Sequence, residues 1–121
     1  MIKVAVMGYG TIGSGVVEVL DINKNSIAKR AGKEIGVKYI LDLRDFPGDP
    51  IQEKVVHDYK VIANDPEVQI VVETMGGVEP AYTFVKAMLT AGKHVTTSNK
   101  ALVAAKGAEL IALAKEKNVN F

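Results

Sequence analysis

The stretch VAVMGYGTIGSG, from Val4 to Gly15, decides the fold of this chain. Its first four residues are apolar and two of them are β-branched valines, as is typical of buried parallel strands. Three glycines follow in the spacing G-x-G-x-x-G. Directly after the turn, apolar residues recur at helical spacing, at Ile12, Val16, Val17 and Leu20. This order of strand, turn and helix is the context that a dinucleotide-binding fingerprint requires.

Each glycine of the fingerprint has a predicted task. Gly8 lets the chain turn sharply off the strand, Gly10 leaves room for backbone amides to approach a pyrophosphate, and Gly13 lets the helix pack closely on the strand. The first amides of the helix lack partners within it and carry partial positive charge, which favours phosphate. The hydroxyl of Thr11 adds one more donor. A glycine-rich turn without a ligand is the alternative, and the position between strand and helix favours dinucleotide binding.

The composition indicates one globular domain. With 121 residues, of which 48% are apolar and 24% charged, the chain can bury a core. The net charge of +1 indicates no nucleic-acid partner, and no apolar run is long enough to span a bilayer. The absence of cysteine excludes disulfides and thiolate metal sites and fits a cytoplasmic location. His57 and His94 have no second ligand at metal spacing, so no metal site is predicted.

Predicted strands and helices alternate along the chain. Strands are predicted at 2–7, 37–43, 69–73 and 94–97, with a fifth beginning at 119. Helices are predicted at 11–20, 27–31, 59–63, 80–91 and 101–117, the last interrupted at Gly107. Such alternation predicts a Rossmann-type, doubly wound α/β fold with a parallel sheet. Ligands of such sheets lie at the carboxyl ends of the strands, where the turns 8–13, 74–77 and 97–100 all fall.

The end of the second strand bears on the choice between NAD and NADP. A carboxylate there bonds the ribose 2′-hydroxyl of NAD, whereas an arginine there binds the 2′-phosphate of NADP. The chain offers Asp42, Arg44 and Asp45. Arg44 lies just past the predicted strand and its planar fork suits a phosphate, which favours NADP and leaves NAD possible. Pairing of Arg44 with Asp42 or Asp45 at the surface is the alternative.

Lys100 is a candidate for chemistry because it follows a predicted strand and begins a predicted helix. From there its cation can reach a phosphate, a ribose or a substrate carbonyl. A solvated lysine is the alternative, although the helix macrodipole disfavours a cation at this end. Glu73, at the end of the third strand, is predicted to cap backbone amides rather than to touch a ribose. His94 is predicted to be structural.

Four segments carry a family resemblance: GYGTIGSGV at 8–16, LRD at 43–45, DPEVQIVVETMGG at 65–77 and AGKHVTTSNKAL at 91–102. In these segments the chain resembles the amino-terminal nucleotide-binding region of homoserine dehydrogenase. The last segment, with T-x-N-K-A-L after G-K-H-V, is the most specific. The resemblance implies an NAD(P)-dependent oxidoreductase that interconverts L-homoserine and aspartate 4-semialdehyde in threonine and methionine biosynthesis.

The resemblance also implies site residues. Those expected to line the cofactor, from its pyrophosphate to its nicotinamide, are Tyr9, Thr11, Ile12, Thr74, Met75, Gly76 and Ser98. Arg44 is expected to face the 2′-phosphate. Lys100 matches a family lysine between cofactor and substrate that is implicated in catalysis.

The family's substrate half, with an acid, a second lysine, a metal ion and the dimer contacts, would begin just after Phe121. We therefore expect residues 1–121 to be an NAD(P)-binding domain fragment, truncated before the substrate and dimerisation domain. It is expected to bind cofactor without turning over homoserine, and the parent enzyme is expected to be a homodimer. Two alternatives are a stand-alone dinucleotide-binding regulatory module and the cofactor half of a related dehydrogenase. The T-x-N-K-A-L stretch argues against the second.

Overall fold

The structure is a computed structural model that describes residues 2–121. Five parallel strands form one sheet in the order β3-β2-β1-β4-β5. The strands are β1 (Ile2–Met7), β2 (Ile35–Leu41), β3 (Val55–Val56), β4 (Val68–Glu73) and β5 (His94–Thr97). The helices are α1 (Thr11–Ile22), α2 (Lys24–Ala31), α3 (Tyr59–Ala63), α4 (Ala81–Thr90) and α5 (Lys100–Glu116), and a 3₁₀ helix spans Pro50–Lys54. The predicted Rossmann-type α/β fold is confirmed.

β1 lies at the centre of the sheet because its residues are apolar on both faces. Its side chains alternate between two hydrophobic clusters, as the twofold period of a strand requires. Val4 and Val6 pack in one cluster with Val17 of α1, whereas Ala5 and Met7 pack in the other. The second cluster takes its helical members from α3, α4 and α5: Ile62, Ala81, Val85, Met88, Leu89, Leu102, Leu110 and Ala114. Helices therefore cover both faces, which is what a doubly wound sheet needs.

The structure differs from the predicted elements at β2, in the loop after it and in α5. β2 runs over Ile35–Leu41 and not over 37–43, so Asp42 already belongs to the following turn. The turn-rich loop after it contains the 3₁₀ helix, which begins where Asp49 caps the amide of Ile51. The predicted interruption of α5 at Gly107 is wrong. Gly107 is a buried residue of a continuous helix, and a Cβ there would lie 3.3 Å from Cγ1 of Val103.

Residues 119–121 do not form the predicted fifth strand of the alternation, although they lie beside β5. The amide of Val95 donates to the carbonyl of Asn120 at 3.0 Å, and the amide of Asn120 donates to Nδ1 of His94 at 3.0 Å. His94 therefore has the structural role that was predicted for it. Within residues 2–121, no helix is long and apolar enough to cross a membrane.

A polar cluster lies where the chain enters β4. The carboxylate of Asp65 accepts from Nζ of Lys38 at 2.5 Å, from the hydroxyl of Tyr39 at 2.7 Å and from the amide of Glu67 at 2.9 Å. The carbonyl of Asp65 accepts from the buried Nζ of Lys93 at 2.7 Å. We call Lys38, Tyr39, Asp65 and Lys93 the Asp65 cluster. It ties β2 to the segments that enter β4 and β5.

Candidate functional site

The turn between β1 and α1 has the tight geometry that its glycines predict. Gly8 has φ +104°, a backbone conformation that favours glycine, and its amide donates to the carbonyl of Leu41 at 2.7 Å. A Cβ on Gly13 would lie 1.9 Å from the carbonyl oxygen of Gly8. Only glycine therefore allows α1 to approach the end of β1 this closely.

Gly10 differs from Gly8 and Gly13, because a Cβ at this position would meet no atom within 4 Å. Gly10 is the N-cap residue of α1, and no side chain caps this helix. The first turn of α1 carries no acidic residue, and Thr11 and Ile12 are exposed. Unpaired amides, the positive end of the helix dipole and open space beside Gly10 together make a surface that suits a phosphate.

Asp42 and Arg44 form a bonded pair beside this turn. Oδ1 of Asp42 accepts from Nε of Arg44 at 3.0 Å and Oδ2 accepts from the second guanidinium nitrogen at 2.9 Å. The carboxylate also accepts from the amides of Arg44 at 2.9 Å and of Tyr9 at 3.0 Å. We call Asp42, Arg44 and Tyr9 the Asp42 cluster. The Arg44 guanidinium, with help from these amides, lowers the pKa of Asp42 to about 2.

The Arg44 side chain is 63% exposed, and its guanidinium lies 5.2 Å from the centre of the Phe46 ring. Phe46 in turn meets the ring of Tyr9 edge-on at 5.1 Å. Of the two roles considered for Arg44, the surface pairing is the one that the structure shows, and its partner is Asp42. Contact with a phosphate stays a prediction. Because a guanidinium has five donors, Arg44 retains donors for a further anion while it holds Asp42.

A cavity of about 350 Å³ opens next to the Asp42 cluster. Its walls are mostly apolar and come from the ends of β1 and β2, the residue after β3, the turn after β4 and the start of α4. The lining residues are Gly8, Leu41, Asp42, Leu43, Arg44, His57, Met75, Pro80 and Phe84. An apolar slot with a few polar groups at its rim suits a flat heterocycle that carries a polar substituent.

The turn after β4 is held by buried polar bonds. Glu73 is fully buried, and its carboxylate accepts from the amide of Met75 at 2.6 Å and from the hydroxyl of Thr97 at 2.6 Å. The prediction that Glu73 caps a backbone amide is confirmed. The Thr74 hydroxyl lies 3.1 Å from the carbonyl oxygens of both Met7 and Gly8, so it can donate to either. This turn is therefore fixed against the glycine turn.

The start of α5 is fixed to the same turn by Asn99. The Asn99 side chain is the N-cap: its oxygen accepts from the amide of Leu102 at 3.0 Å, and its nitrogen donates to the carbonyl of Gly77 at 2.6 Å. Lys100 follows as the first residue of α5. It is exposed, and within residues 2–121 its ammonium has no hydrogen-bond or ion-pair partner. Ser98 is also exposed, and its amide points to the carbonyl of Glu73 at 3.4 Å.

The predicted site residues all fall at one edge of the sheet, formed by the carboxyl ends of β1, β2, β4 and β5. Five wall residues of the cavity were not identified as site residues from the sequence: Leu41, Leu43, His57, Pro80 and Phe84. The N-cap role of Asn99 was also missed, although an asparagine directly before a helix is the usual signal for it. The bond from Asn99 to Gly77 has no local signal, since it joins residues 22 positions apart.

Comparison with known proteins agrees with this geometry. Residues 8–121 match the family described as homoserine dehydrogenase, NAD binding domain. The homoserine dehydrogenase of Pseudomonas aeruginosa is 41% identical over 98% of the chain, and that of Bacillus subtilis 38% identical over 99%. The chain spans only 27% and 28% of the lengths of these two relatives.

Solved structures give the same result. The homoserine dehydrogenase of Staphylococcus aureus at pH 7.0 superposes with a TM-score of 0.89 at 35% identity, over 98% of this chain and 31% of that one. The Thiobacillus denitrificans structure gives 0.88 at 38% identity, over 98% of this chain and 28% of that one.

Proposed function

The chain belongs to the family of homoserine dehydrogenase NAD-binding domains, and from this premise we propose that it is the cofactor half of an NADP-preferring homoserine dehydrogenase. The family establishes a nicotinamide dinucleotide as the ligand. The preference for NADP, the activity of the whole protein and the roles of single residues are our proposals. The observation that best supports the cofactor site is the open, uncapped start of α1 beside Gly10, and the preference for NADP rests on the exposed guanidinium of Arg44.

The residues present fit the cofactor at three points. The amides at the start of α1 suit its pyrophosphate, with Tyr9, Thr11 and Ile12 around them. The apolar cavity between β2 and α4 suits the adenine, and Arg44 at its rim suits a 2′-phosphate. Thr74, Met75, Gly76 and Ser98 lie on the side of the glycine turn toward β4 and β5, where we propose that they border the nicotinamide. When bound, the nicotinamide accepts or supplies a hydride.

Lys100 is the proposed catalytic residue of this half. Its ammonium is exposed, has no partner within the described residues and stands on a helix start that Asn99 holds in place. A free, positioned cation can stabilise negative charge on a substrate oxygen or give that oxygen a proton. We propose that the substrate is bound mainly by residues outside this chain, so that residues 1–121 bind cofactor without turning over homoserine. The homodimeric state and the cytoplasmic location of the parent enzyme stay predictions.

The test is a calorimetric titration of the purified chain with NADPH and NADH, repeated with Gly10→Ser. Serine is a strong N-cap residue, so its hydroxyl competes for the amides that we assign to the pyrophosphate while it supports the helix. We expect at least about tenfold weaker binding of both cofactors, because the two phosphates lose these donors. The thermal midpoint should not fall.

Gly15→Ala is the matched control. A Cβ on Gly15 meets no atom within 4 Å, and this residue lies inside α1. Alanine there should stabilise the helix by about 0.5–1 kcal/mol and leave cofactor binding unchanged. Equal binding by the wild type and Gly10→Ser would show that the pyrophosphate does not lie at the start of α1. Binding of neither cofactor by the wild type would contradict the proposal for this chain.

A further inference from the structure

His57 lies in the wall of the cavity that we assign to the adenine, and the proposed function gives it no role. It follows β3 directly, so it lies at the same edge of the sheet as Asp42 and Arg44. Its Nδ1 is 2.7 Å from the carbonyl oxygen of Asp42, and its Nε2 is 3.0 Å from Oδ1 of Asp45. The side chain is 50% exposed, so a ligand in the cavity can reach the ring.

Both ring nitrogens of His57 face groups that only accept hydrogen bonds. A carbonyl oxygen and an ionised carboxylate have no proton to give, and a neutral imidazole has only one N–H. The observed arrangement is therefore fully bonded only when the ring is a cation with two N–H donors. In agreement, the bond to the Asp42 carbonyl, followed by the charge of Asp45, raises the pKa of His57 above its ordinary value of 6.5.

The charges around His57 make its protonation matter to an anion. The segment after β2 contributes the carboxylates of Asp42 and Asp45 and the guanidinium of Arg44. When His57 is charged, two cations balance two carboxylates, and when it is neutral the rim of the cavity carries one net negative charge. A phosphate with two negative charges is repelled by the second state and accepted by the first.

The other neighbouring elements do not alter this balance. The carboxylate of Asp58, the next residue, is used to cap α3 through the amide of Lys60 at 2.9 Å. Phe84 of α4 and Pro80, which directly precedes this helix, face the cavity and are uncharged. The carboxylate of Glu79, just before α4, bonds the amide and hydroxyl of Thr83.

We propose that His57 is a specificity-determining residue that, as a cation, donates from Nε2 to the 2′-phosphate of NADP beside Arg44. The proposal rests on the proposed function, in which this cavity holds the adenosine end of the cofactor. On phosphate binding, Nε2 exchanges Asp45 for the phosphate. Asp45 remains bonded to Nε2 of Gln52 at 3.0 Å and is 58% exposed, so water replaces the lost contact at little cost. NAD lacks the phosphate and gains nothing from the charge.

The test compares dissociation constants of NADP⁺ and NAD⁺ for the wild type, His57→Gln and His57→Lys, by calorimetry near pH 6 and pH 8. We expect His57→Gln to bind NADP⁺ about fivefold more weakly than the wild type near pH 6, and we expect this difference to narrow near pH 8 as the wild-type ring loses its proton. His57→Lys keeps its charge and should bind NADP⁺ at least as tightly as the wild type at both. NAD⁺ affinity should be the same for all three proteins.

Comparing variants at one pH separates the effect of His57 protonation on affinity from the effect of ionisation of the 2′-phosphate. The 2′-phosphate also titrates near pH 6, but it does so equally for every variant, so the ratio of variant to wild type at one pH reports the ring alone. Equal NADP⁺ affinity of His57→Gln and the wild type near pH 6 would overturn the proposal and leave the cofactor site standing. An equal loss of NAD⁺ and NADP⁺ would also overturn it, since His57 would then hold the shared adenosine. Binding of neither nucleotide to the wild type would instead contradict the proposed function.

Discussion

The Asp42 cluster and the Asp65 cluster use the same chemistry for different ends. Each has an aspartate that bonds a basic side chain and accepts from at least one backbone amide. The two carboxylates are about equally buried, and the difference lies in the cations. The Lys38 side chain is 29% exposed, and its ammonium donates to both Asp65 and Glu67. The Arg44 side chain is 63% exposed at the rim of a cavity. An ion pair therefore indicates a binding site only where its cation still has open donors and space beside it.

The largest effect on stability and binding is expected from Gly13→Ala. This change disrupts the glycine turn, whose Tyr9 amide donates to Asp42. The new methyl group would lie 1.9 Å from the carbonyl oxygen of Gly8, and neither backbone can yield without moving α1 off β1. We expect a loss of about 3 kcal/mol or more in the free energy of unfolding and loss of cofactor binding. Denaturant unfolding and calorimetry measure the two. A stability equal to the wild type would show that α1 does not pack this closely.

An intermediate effect is expected from Asp65→Asn, which breaks the other cluster. The pKa of Asp65 lies below its ordinary value of 3.8, mainly because of the bond from Lys38 and then the bond from Tyr39. A lowered carboxylate pKa stabilises the fold above about pH 4, and this contribution is lost as the pH falls further. The variant should therefore melt below the wild type near pH 7, and the gap should shrink below about pH 4.

Thermal unfolding at several pH values, with calorimetry near pH 7, completes that experiment. The ratio of NADP⁺ to NAD⁺ affinity should not change, because the Asp65 cluster lies away from the glycine turn. A gap in melting temperature that is the same at acid and neutral pH would contradict the charge-based explanation.

The smallest effect on stability is expected from Arg44→Ala. Its exposed guanidinium is replaced by water, and Asp42 keeps the amides of Tyr9 and residue 44, so the melting temperature should stay near that of the wild type. The affinity for NADP⁺ should fall about tenfold and that for NAD⁺ should not fall. Lys38→Ala is the matched control: it should lower the melting temperature and leave the cofactor ratio unchanged. An equal loss of both cofactors in Arg44→Ala would remove Arg44 from phosphate recognition.

Features whose contacts are local in the sequence were the ones that the sequence could predict. β1, its glycine turn and α1 follow one another between Ile2 and Ile22, so their order, the task of Gly13 and the sharp turn at Gly8 were predictable from local patterns. The amide cap made by Glu73 was predictable for the same reason, since its partner Met75 is two residues away.

The parts that sequence analysis missed depend on partners far along the chain. β2 was placed two residues late because Leu43 extends the apolar run, yet Leu43 is 87% exposed and Asp42 turns back to meet Tyr9, 33 residues earlier. His57 reaches the cavity only because β3 pairs with β2, a two-residue contact with little local signal. The interruption at Gly107 was wrong because helix propensity was weighed without the packing that holds α5.

The Asn99 side chain couples the motions of two parts of the site, the start of α5 and the turn after β4. Because it bonds both the Leu102 amide and the Gly77 carbonyl, any opening that moves the Asn99 side chain disturbs the first turn of α5 and the turn after β4 together. Deuterium uptake at the Leu102 amide therefore reports how often the turn after β4 opens, although Leu102 itself is fully buried. A dinucleotide that contacts the turn after β4 should slow this uptake. Exchange at an amide inside α5 therefore measures the opening of a turn whose Gly77 lies 22 residues before Asn99 in the chain.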